Sequence, residues 1–281
     1  MDYKAIDIVC NYWTPEVTLG RIELNNKLRQ WQKILRMADE TFDGGTTEEQ
    51  MLQGMDDASI ERALLVASDL GVWNLPYETV AEAVRRHPDR FAGVAGINPE
   101  ERMDGVRKLE RAVREYGFIA AHLYPHWFGK PPNDKAYYPF YAKCVELGIP
   151  IEIQVGNSAQ THLRTVGFPI TLDEVAIDFP ELTIIGIHTG WPWVEEMVAV
   201  SWKHPNVYIG TDAHAPKYWD PKLVQFLNTR GQDKVIFGTD FPVIDFGRAM
   251  REVSAMELKP EARRKLLRDN AIRAFKLAET T

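Results

Sequence analysis

The sequence predicts a (β/α)8 barrel, formed as a single domain over residues 1–281 with extra helices at its C-terminal end. Short apolar runs alternate with amphipathic stretches, which is typical of parallel strands joined by helices. Eight such runs are present, and no linker-like change in composition divides the chain. A doubly wound sheet is the alternative, but the strand count favours the barrel.

The predicted strands are the eight apolar runs, at residues 5–9, 63–67, 92–97, 119–123, 151–155, 183–187, 207–210 and 235–237. Helical patterns occupy the segments between them, at residues 79–86, 103–116, 138–147, 172–179, 194–202 and 221–228. Three of the helical patterns end just before a proline, at Pro88, Pro180 and Pro205. These positions fit helix ends, because proline cannot continue a helix. Two further helices are expected at residues 260–267, with proline in the first turn, and 270–278, with Asp269 as the N-cap.

Composition restricts the class of ligand. The chain is 45% hydrophobic and 26% charged, as expected for a globular protein with a large core. Its 33 basic and 40 acidic residues give a net charge of -7, which argues against nucleic-acid and anionic-membrane partners. A small-molecule substrate is therefore expected. The sequence shows neither a signal-peptide pattern nor an apolar run of about 18 residues, so we expect a cytoplasmic protein.

The two cysteines, Cys10 and Cys144, lie on a predicted strand and a predicted helix. A pair placed in this way does not resemble the disulfide framework of a small secreted domain. Both are expected to be free thiols.

Two titratable residues each follow a buried strand. Asp240 comes after the run 235–237 and a Gly-Thr turn, and His188 ends the run 183–187. In a barrel of this class the active site lies at the C-terminal ends of the strands, so both side chains should face one site. A carboxylate and an imidazole are suited to acid/base catalysis, and we predict His188 and Asp240 as catalytic residues.

Each of these two residues also has a structural interpretation. His188 would also suit a core position with its ring bonded to a backbone carbonyl, and Asp240 would also suit a turn or helix cap. Four other histidines are interpreted as helix-end or loop residues: His87, His204, His214 and His162.

Further polar side chains close other predicted strands. We predict that they bind the substrate as hydrogen-bond donors: Asn11, His122, Tyr124 and Gln154. Trp191, one of several aromatic residues after strand ends, is expected to line the pocket and favours a flat or ring-containing ligand. Neither a glycine-rich phosphate loop nor a nucleophile elbow is present, so nucleotide binding and serine-hydrolase chemistry lack support.

Three stretches, residues 179–190, 204–208 and 237–242, resemble the amidohydrolase-related (amidohydrolase 2) family of the metal-dependent hydrolase superfamily. The family includes aminocarboxymuconate semialdehyde decarboxylase and the resorcylate-type decarboxylases. The resemblance implies a TIM barrel and catalytic roles for His188 and Asp240. It also implies a divalent metal bound by the strand-eight aspartate and a homodimer.

The chain departs from the family pattern at three metal-ligand positions. Val9 and Asn11 stand where the family has histidines on strand one, and Gln154 replaces a histidine that ends strand five. Neutral amides are poor ligands for zinc or manganese, so the metal site implied by the resemblance is incomplete. The chain is expected to hold either no cofactor or one zinc or manganese ion in a degenerate site. Such a site would have to be rebuilt from side chains at the strand ends: His122, Glu152, His188 and Asp240.

These observations predict an amidohydrolase-family enzyme that is a lyase. Hydrolysis in this superfamily depends on metal-generated hydroxide, whereas proton transfer with decarboxylation, elimination or hydration requires less. The leading hypothesis is a non-oxidative decarboxylase of a small unsaturated or aromatic carboxylic acid. The alternatives are a metal-dependent hydrolase of an amide or lactone bond, with a rebuilt metal site, and a catalytically inactive barrel that binds a ligand.

Overall fold

A computed structural model of the chain describes residues 3–19, 29, 32–34, 37, 39–70, 73–158 and 164–278. His162 lies outside these residues. Within them, the chain forms nine strands: β1 Ala5–Cys10, β2 Ile60–Leu70, β3 Trp73–Leu75, β4 Phe91–Gly96, β5 Ala120–Leu123, β6 Ile151–Gln154, β7 Ile184–Ile187, β8 Val207–Gly210 and β9 Val235–Ile236.

Eight of the strands form a parallel barrel in the order β1-β2-β4-β5-β6-β7-β8-β9. The barrel closes where the segment after β9 meets β1, through a parallel bridge between Cys10 and Phe241. The amide of Asn11 donates to the Phe241 carbonyl at 2.7 Å, and the amide of Asp240 donates to the Val9 carbonyl at 3.0 Å. The predicted (β/α)8 barrel is confirmed, and each predicted strand overlaps one barrel strand. The short strand β3, which pairs antiparallel with β2, was not predicted.

Helices cover the outside of the barrel. They are α1 Pro15–Leu19, α2 Asp39–Gly44, α3 Glu48–Asp57, α4 Tyr77–Arg86, α5 Arg102–Tyr116, α6 Pro125–Phe128, α7 Tyr138–Leu147, α8 Thr171–Asp178, α9 Val194–Lys203, α10 Pro221–Leu227, α11 Phe246–Ser254, α12 Pro260–Arg264 and α13 Asn270–Phe275. In the part of the chain that the structure describes, no helix has both the length and the apolar composition of a membrane span. Cys10 and Cys144 are buried free thiols, as predicted.

Strand alternation divides the core into two layers. Residues such as Leu65 and Ile153 face outward and pack against the helices. Alternate residues such as Leu64 and Ile185 fill the barrel interior, together with Phe275 of the last helix. By the same alternation, the interior face of β5 carries His122 and that of β6 carries Glu152. The barrel therefore holds apolar side chains in its lower part and polar ones near the C-terminal strand ends.

The predicted Asp269 cap is wrong. Asp269 has helical backbone angles and makes no capping hydrogen bond. The chain passes from α12 through a π-helical turn, Lys265–Asp269, directly into α13. The Asp269 carboxylate instead accepts a 2.9 Å hydrogen bond from Arg264. The helices α3 and α11 were also not predicted, although Thr47 and Asp245 cap them with their side chains.

Candidate active site

The C-terminal ends of the barrel strands surround a small cavity of about 40 Å³. The cavity lining includes six of the seven residues predicted for the site: Asn11, His122, Tyr124, Gln154, His188 and Asp240. Leu70, Trp127 and Ser158 also line it, along with Val9. Trp191 is not part of this lining; it is 46% exposed and lies beside His214, at 6.0 Å between ring centroids. Its role in substrate binding remains a prediction.

The backbone presents the two predicted catalytic side chains in an unusual conformation. His188 has φ 68° and Asp240 has φ 58°. Non-glycine residues in this left-handed region cost about 1–3 kcal/mol and persist where surrounding structure holds them. Asp240 is held by the bond from its amide to Val9, and the backbone amide of His188 donates to Oδ1 of Asp212 at 3.3 Å. The positions directly after the strands are therefore fixed by neighbouring strands.

Asp240 is paired with Asn11 at the bottom of the cavity. The Asn11 side-chain amide donates a 2.7 Å hydrogen bond to Oδ1 of Asp240 and also contacts the Phe241 carbonyl at 3.1 Å. Burial raises the pKa of Asp240 to about 7, while the hydrogen bond from Asn11 opposes this shift. Asp240 does not cap the following helix, because Asp245 accepts the capping bond from Arg248. Its carboxyl group thus faces the cavity and is able to exchange a proton near neutral pH.

His188 has a neighbour at each ring nitrogen. Nδ1 lies 3.1 Å from the side-chain amide nitrogen of Gln154, and Nε2 lies 3.2 Å from Oδ2 of Asp212. An amide nitrogen donates, so Nδ1 accepts, and the proton of a neutral ring is on Nε2. Burial lowers the pKa of His188 well below its usual value. We interpret His188 as a neutral imidazole that is oriented from both sides.

Asp212 follows β8 and was not selected from the sequence. Its side chain is fully buried, and among the described residues Oδ2 has no partner with hydrogen-bond geometry, although Nε2 of His188 lies 3.2 Å away. Burial and the charge of Asp240 raise the pKa of Asp212 well above its usual value. Burial therefore favours the neutral form of both Asp212 and His188. Their short contact is not an established ion pair. A proton taken up by His188 would create an imidazolium beside this carboxyl group, which would then be stabilised as a carboxylate.

His122 and Glu152 form a second buried pair, on β5 and β6. Nδ1 of His122 lies 2.7 Å from Oε2 of Glu152, and neither side chain is exposed to solvent. Burial lowers the pKa of His122 to about 3 and raises that of Glu152. Within the part of the chain that the structure describes, Nε2 of His122 and Oε1 of Glu152 have no hydrogen-bond partner. Leaving a buried polar atom unpaired costs about 1–3 kcal/mol, so a polar ligand in the cavity would be favoured.

Asp7 is a structural carboxylate near the site. Thr239 donates to it twice, from its hydroxyl at 2.5 Å and from its amide at 3.0 Å, and the Val9 amide donates at 3.3 Å. These bonds tie β1 to the segment before Asp240. Burial raises the pKa of Asp7 to about 7, against the effect of these hydrogen bonds.

The residues present do not fit the divalent metal that the family resemblance implies. Val9 is apolar, and the side-chain amides of Asn11 and Gln154 are bonded to Asp240 and His188, so an apolar side chain and two neutral amides stand at the positions where the family resemblance implies imidazole ligands. Among the described residues, no three histidine, cysteine or acidic side chains are arranged to hold a metal ion. The rebuilt site considered from the sequence is therefore not supported.

The histidines predicted to lie at helix ends have acidic partners. Nε2 of His87 lies 3.0 Å from Glu48, and Nε2 of His204 lies 2.7 Å from Asp173. His214 lies in the loop after β8, where burial lowers its pKa to about 4.

The fold and this arrangement define a TIM-barrel protein with acid/base side chains at the mouth of the barrel, as in enzymes of this class. Residues 6–277 match the amidohydrolase family. The chain belongs to the amidohydrolase family, as the sequence resemblance predicted.

Individual relatives include two lyases. The chain is 35% identical over 130 residues to a 2-keto-4-carboxy-3-hexenedioate hydratase from Sphingobium sp., a match covering 40% of this chain and 38% of the hydratase. It is 23% identical over 292 residues to γ-resorcylate decarboxylase from Rhodococcus jostii, covering 80% and 86% of the two chains. Among solved structures, an uncharacterised TIM-barrel protein from Bordetella bronchiseptica is similar, with a TM-score of 0.83, 26% identity and coverage of 97% and 98%. The hydratase and the decarboxylase support the predicted lyase class.

Proposed function

We propose that the chain is a lyase that decarboxylates a small unsaturated or aromatic carboxylic acid by acid/base catalysis. One observation carries the proposal: His188 and Asp240 line the same buried cavity, each bonded to a side-chain amide, and no metal-ligand set is formed among the described residues. Decarboxylase and hydratase relatives support the same reaction class. Hydrolysis is disfavoured because this donor set does not suit a metal that would activate water.

The chain's own residues account for the steps of a decarboxylation. Loss of carbon dioxide leaves negative charge on the substrate, and a proton must reach the carbon that carried the carboxylate. Asp240 is the proton donor in this proposal, because its pKa of about 7 allows it to be protonated near neutral pH. His188 accepts or returns a proton, with Gln154 and Asp212 holding its ring. Burial of the cavity limits access of competing water.

The cavity indicates a compact, flat substrate. Its volume of about 40 Å³ is far below the roughly 300–1,000 Å³ of typical ligand pockets, so substrate binding has to widen it. Tyr124 and Trp127 supply aromatic faces in the lining. Aromatic faces of this kind pack well against a ring or a conjugated chain.

A hydratase is the second candidate, favoured by the 35% identity to a hydratase over 130 residues. Hydration of a conjugated double bond also requires a base to activate water and an acid to protonate carbon. The same pair of side chains would serve both roles. The two candidates differ in their products, because one loses carbon dioxide and the other gains water.

The test is a product screen on purified protein. Aromatic ortho-hydroxy acids and conjugated di- and tricarboxylic acids are incubated with wild type, Asp240→Asn and His188→Asn, and products are identified by mass spectrometry. Loss of 44 mass units identifies decarboxylation and gain of 18 identifies hydration, and either activity should fall by about 100-fold or more in both variants. Turnover of amide or lactone substrates instead, or undiminished turnover in both variants, would overturn the proposal.

A further inference from the structure

We propose that Glu152 fixes the proton of His122 on Nε2, and that this N–H group binds a carboxylate of the substrate. The inference rests on the proposed function, since it assigns the anion-binding position in the same cavity. Glu152 is a positioning residue here, because it acts through His122.

The pairing follows from strand register. His122 and Glu152 are directly opposite each other on the parallel strands β5 and β6. Both side chains point into the barrel and are fully buried, with 2.7 Å between Nδ1 and Oε2. The ring also packs on Tyr124, at 4.2 Å between centroids, which fixes its plane. Because Nδ1 is engaged by Glu152, Nε2 is the polar atom of the ring left for a ligand.

Charge balance assigns a proton to Nε2. A buried pair avoids net charge, because an uncompensated charge in the interior is strongly unfavourable. Two protonation states have zero net charge: a carboxylic acid donating to a neutral imidazole, and a carboxylate beside an imidazolium. In the first state the ring proton lies on Nε2, and in the second both ring nitrogens carry protons. Nε2 is therefore a donor in both neutral states of the pair.

The rest of the cavity makes this donor necessary. Among the described residues that line the cavity, there is no lysine or arginine. The side-chain amides of Asn11 and Gln154 already donate to Asp240 and His188. His122 and the hydroxyl of Tyr124 are side-chain donors of this lining that can recognise an anionic oxygen. A carboxylate that binds at Nε2 accepts this N–H, and no proton has to move within the pair of His122 and Glu152.

The first experiment determines the ring protonation of His122 without any substrate. Long-range ¹H–¹⁵N spectra of protein with ¹⁵N-labelled histidines, assigned through His122→Asn, should show a protonated Nε2 in wild type. Glu152→Gln should keep the same tautomer, because its amide still donates to Nδ1. A spectrum with Nδ1 protonated and Nε2 bare in wild type would overturn the proposal.

The second experiment measures anion recognition with benzoate as the probe and benzamide as its neutral analogue, by calorimetry. We expect wild type to bind benzoate, Glu152→Gln to bind it with similar affinity, and Glu152→Met to lose about tenfold or more. Benzamide affinity should be the same in all three. Asp173→Asn, which alters the histidine pair of His204 outside the cavity, is the matched control and should have no effect.

Failure of this inference is distinct from failure of the lyase proposal. No benzoate binding by wild type, or equal weakening in Glu152→Gln and Glu152→Met, overturns the carboxylate position. The opposite result is also possible: Nε2 is protonated and benzoate binds as expected, but the protein neither decarboxylates nor hydrates any screened acid. That result supports the carboxylate position and overturns only the proposed reaction. Because the wild-type spectrum does not depend on Glu152→Met, a fold defect in that variant leaves the test decisive.

Discussion

Oδ2 of Asp212 lies 3.2 Å from Nε2 of His188, and this carboxyl group is fully buried. The contact places an acidic group behind the imidazole, on the side away from Gln154. Such an arrangement orients the ring and stabilises the charge that develops when the ring is protonated. Asp212 therefore belongs with His188 in any acid/base mechanism at this site.

Replacing Asp212 with asparagine should lower activity and raise stability. We expect kcat to fall by about 100-fold, because the developing imidazolium loses its carboxylate. Burial raises the folded-state pKa of Asp212, so the folded protein holds this proton more tightly than the unfolded chain, and stability decreases as pH rises above the unfolded value. Removing the ionisable group should therefore raise Tm at pH 8 by about 2–4 °C. Steady-state kinetics and thermal unfolding check both effects.

The outcome that contradicts this assignment is an Asp212→Asn variant with a lower Tm and unchanged kcat. Asp104→Asn, whose ion pair with Arg107 is exposed, is the control and should leave both kcat and Tm at pH 8 close to wild type.

The barrel was predicted from the sequence, and so was the position of His188 and Asp240 at one site, because polar residues that follow apolar strands are visible in the chain. The catalytic roles of these two residues stay a prediction. Asp212 follows β8 in the same way, after Thr211, and this signal was available. The sequence does not show, however, that the carboxyl group of Asp212 lies against His188.

Other features of the site were beyond the reach of the sequence. The pairing of His122 with Glu152 depends on the register between β5 and β6, and apolar patterning does not determine which residues stand opposite each other. The left-handed backbone of His188 and Asp240 likewise depends on bonds to neighbouring strands. The prediction of a cap at Asp269 was wrong because packing determines whether the helix continues through a π-helical turn. The local residue types alone favoured the start of a new helix.

The hydrogen bond from Asn11 should set the working pH of Asp240. Burial raises the pKa of Asp240 to about 7, and the bond from Asn11 lowers it from what burial alone would give. In Asn11→Leu this opposing effect is lost, so the pKa should rise by about one unit. If protonated Asp240 is the acid, activity falls above this pKa, and the variant should keep activity to higher pH. The pH dependence of kcat/KM measures the shift.

Gln154→Leu is a matched control for this shift. Its amide serves His188 rather than Asp240, so it should alter kcat while leaving the high-pH limb in place. An unmoved limb in Asn11→Leu would show that another group controls the profile.

Metal removal should leave the protein unchanged. The donor set does not fit a divalent ion, so protein purified without affinity-tag metals should contain less than about 0.1 zinc or manganese per chain. Dialysis against a chelator should alter neither Tm nor turnover. The measurement is elemental mass spectrometry of wild type and Asp240→Ala. His204→Asn is the control for adventitious binding at the pair of His204 with Asp173, outside the cavity. About one ion per chain, lost in Asp240→Ala and kept in His204→Asn, would contradict the expectation.

An ion pair near the barrel wall should give the protein an acid-sensitive contribution to stability. Glu48 accepts hydrogen bonds from Arg86 at 2.6 Å and from Tyr12 at 2.5 Å. The bond from Arg86, the largest cause, lowers the pKa of Glu48 to about 2. Because the folded-state pKa lies below the unfolded value, the contribution is fully present above about pH 4.5 and is lost as pH falls toward 2. Arg86 is half exposed, which limits the contribution to about 1 kcal/mol.

Glu48→Gln should therefore lower the free energy of unfolding by about 1 kcal/mol at pH 7 and by much less at pH 2.5. Urea unfolding at the two pH values measures the difference. Asp104→Asn is the control, because its pair with Arg107 is almost fully exposed and should contribute little at either pH. Equal losses at both pH values in Glu48→Gln would indicate lost packing or a lost neutral hydrogen bond to Tyr12, since only the ionised carboxylate forms a pair that acid removes.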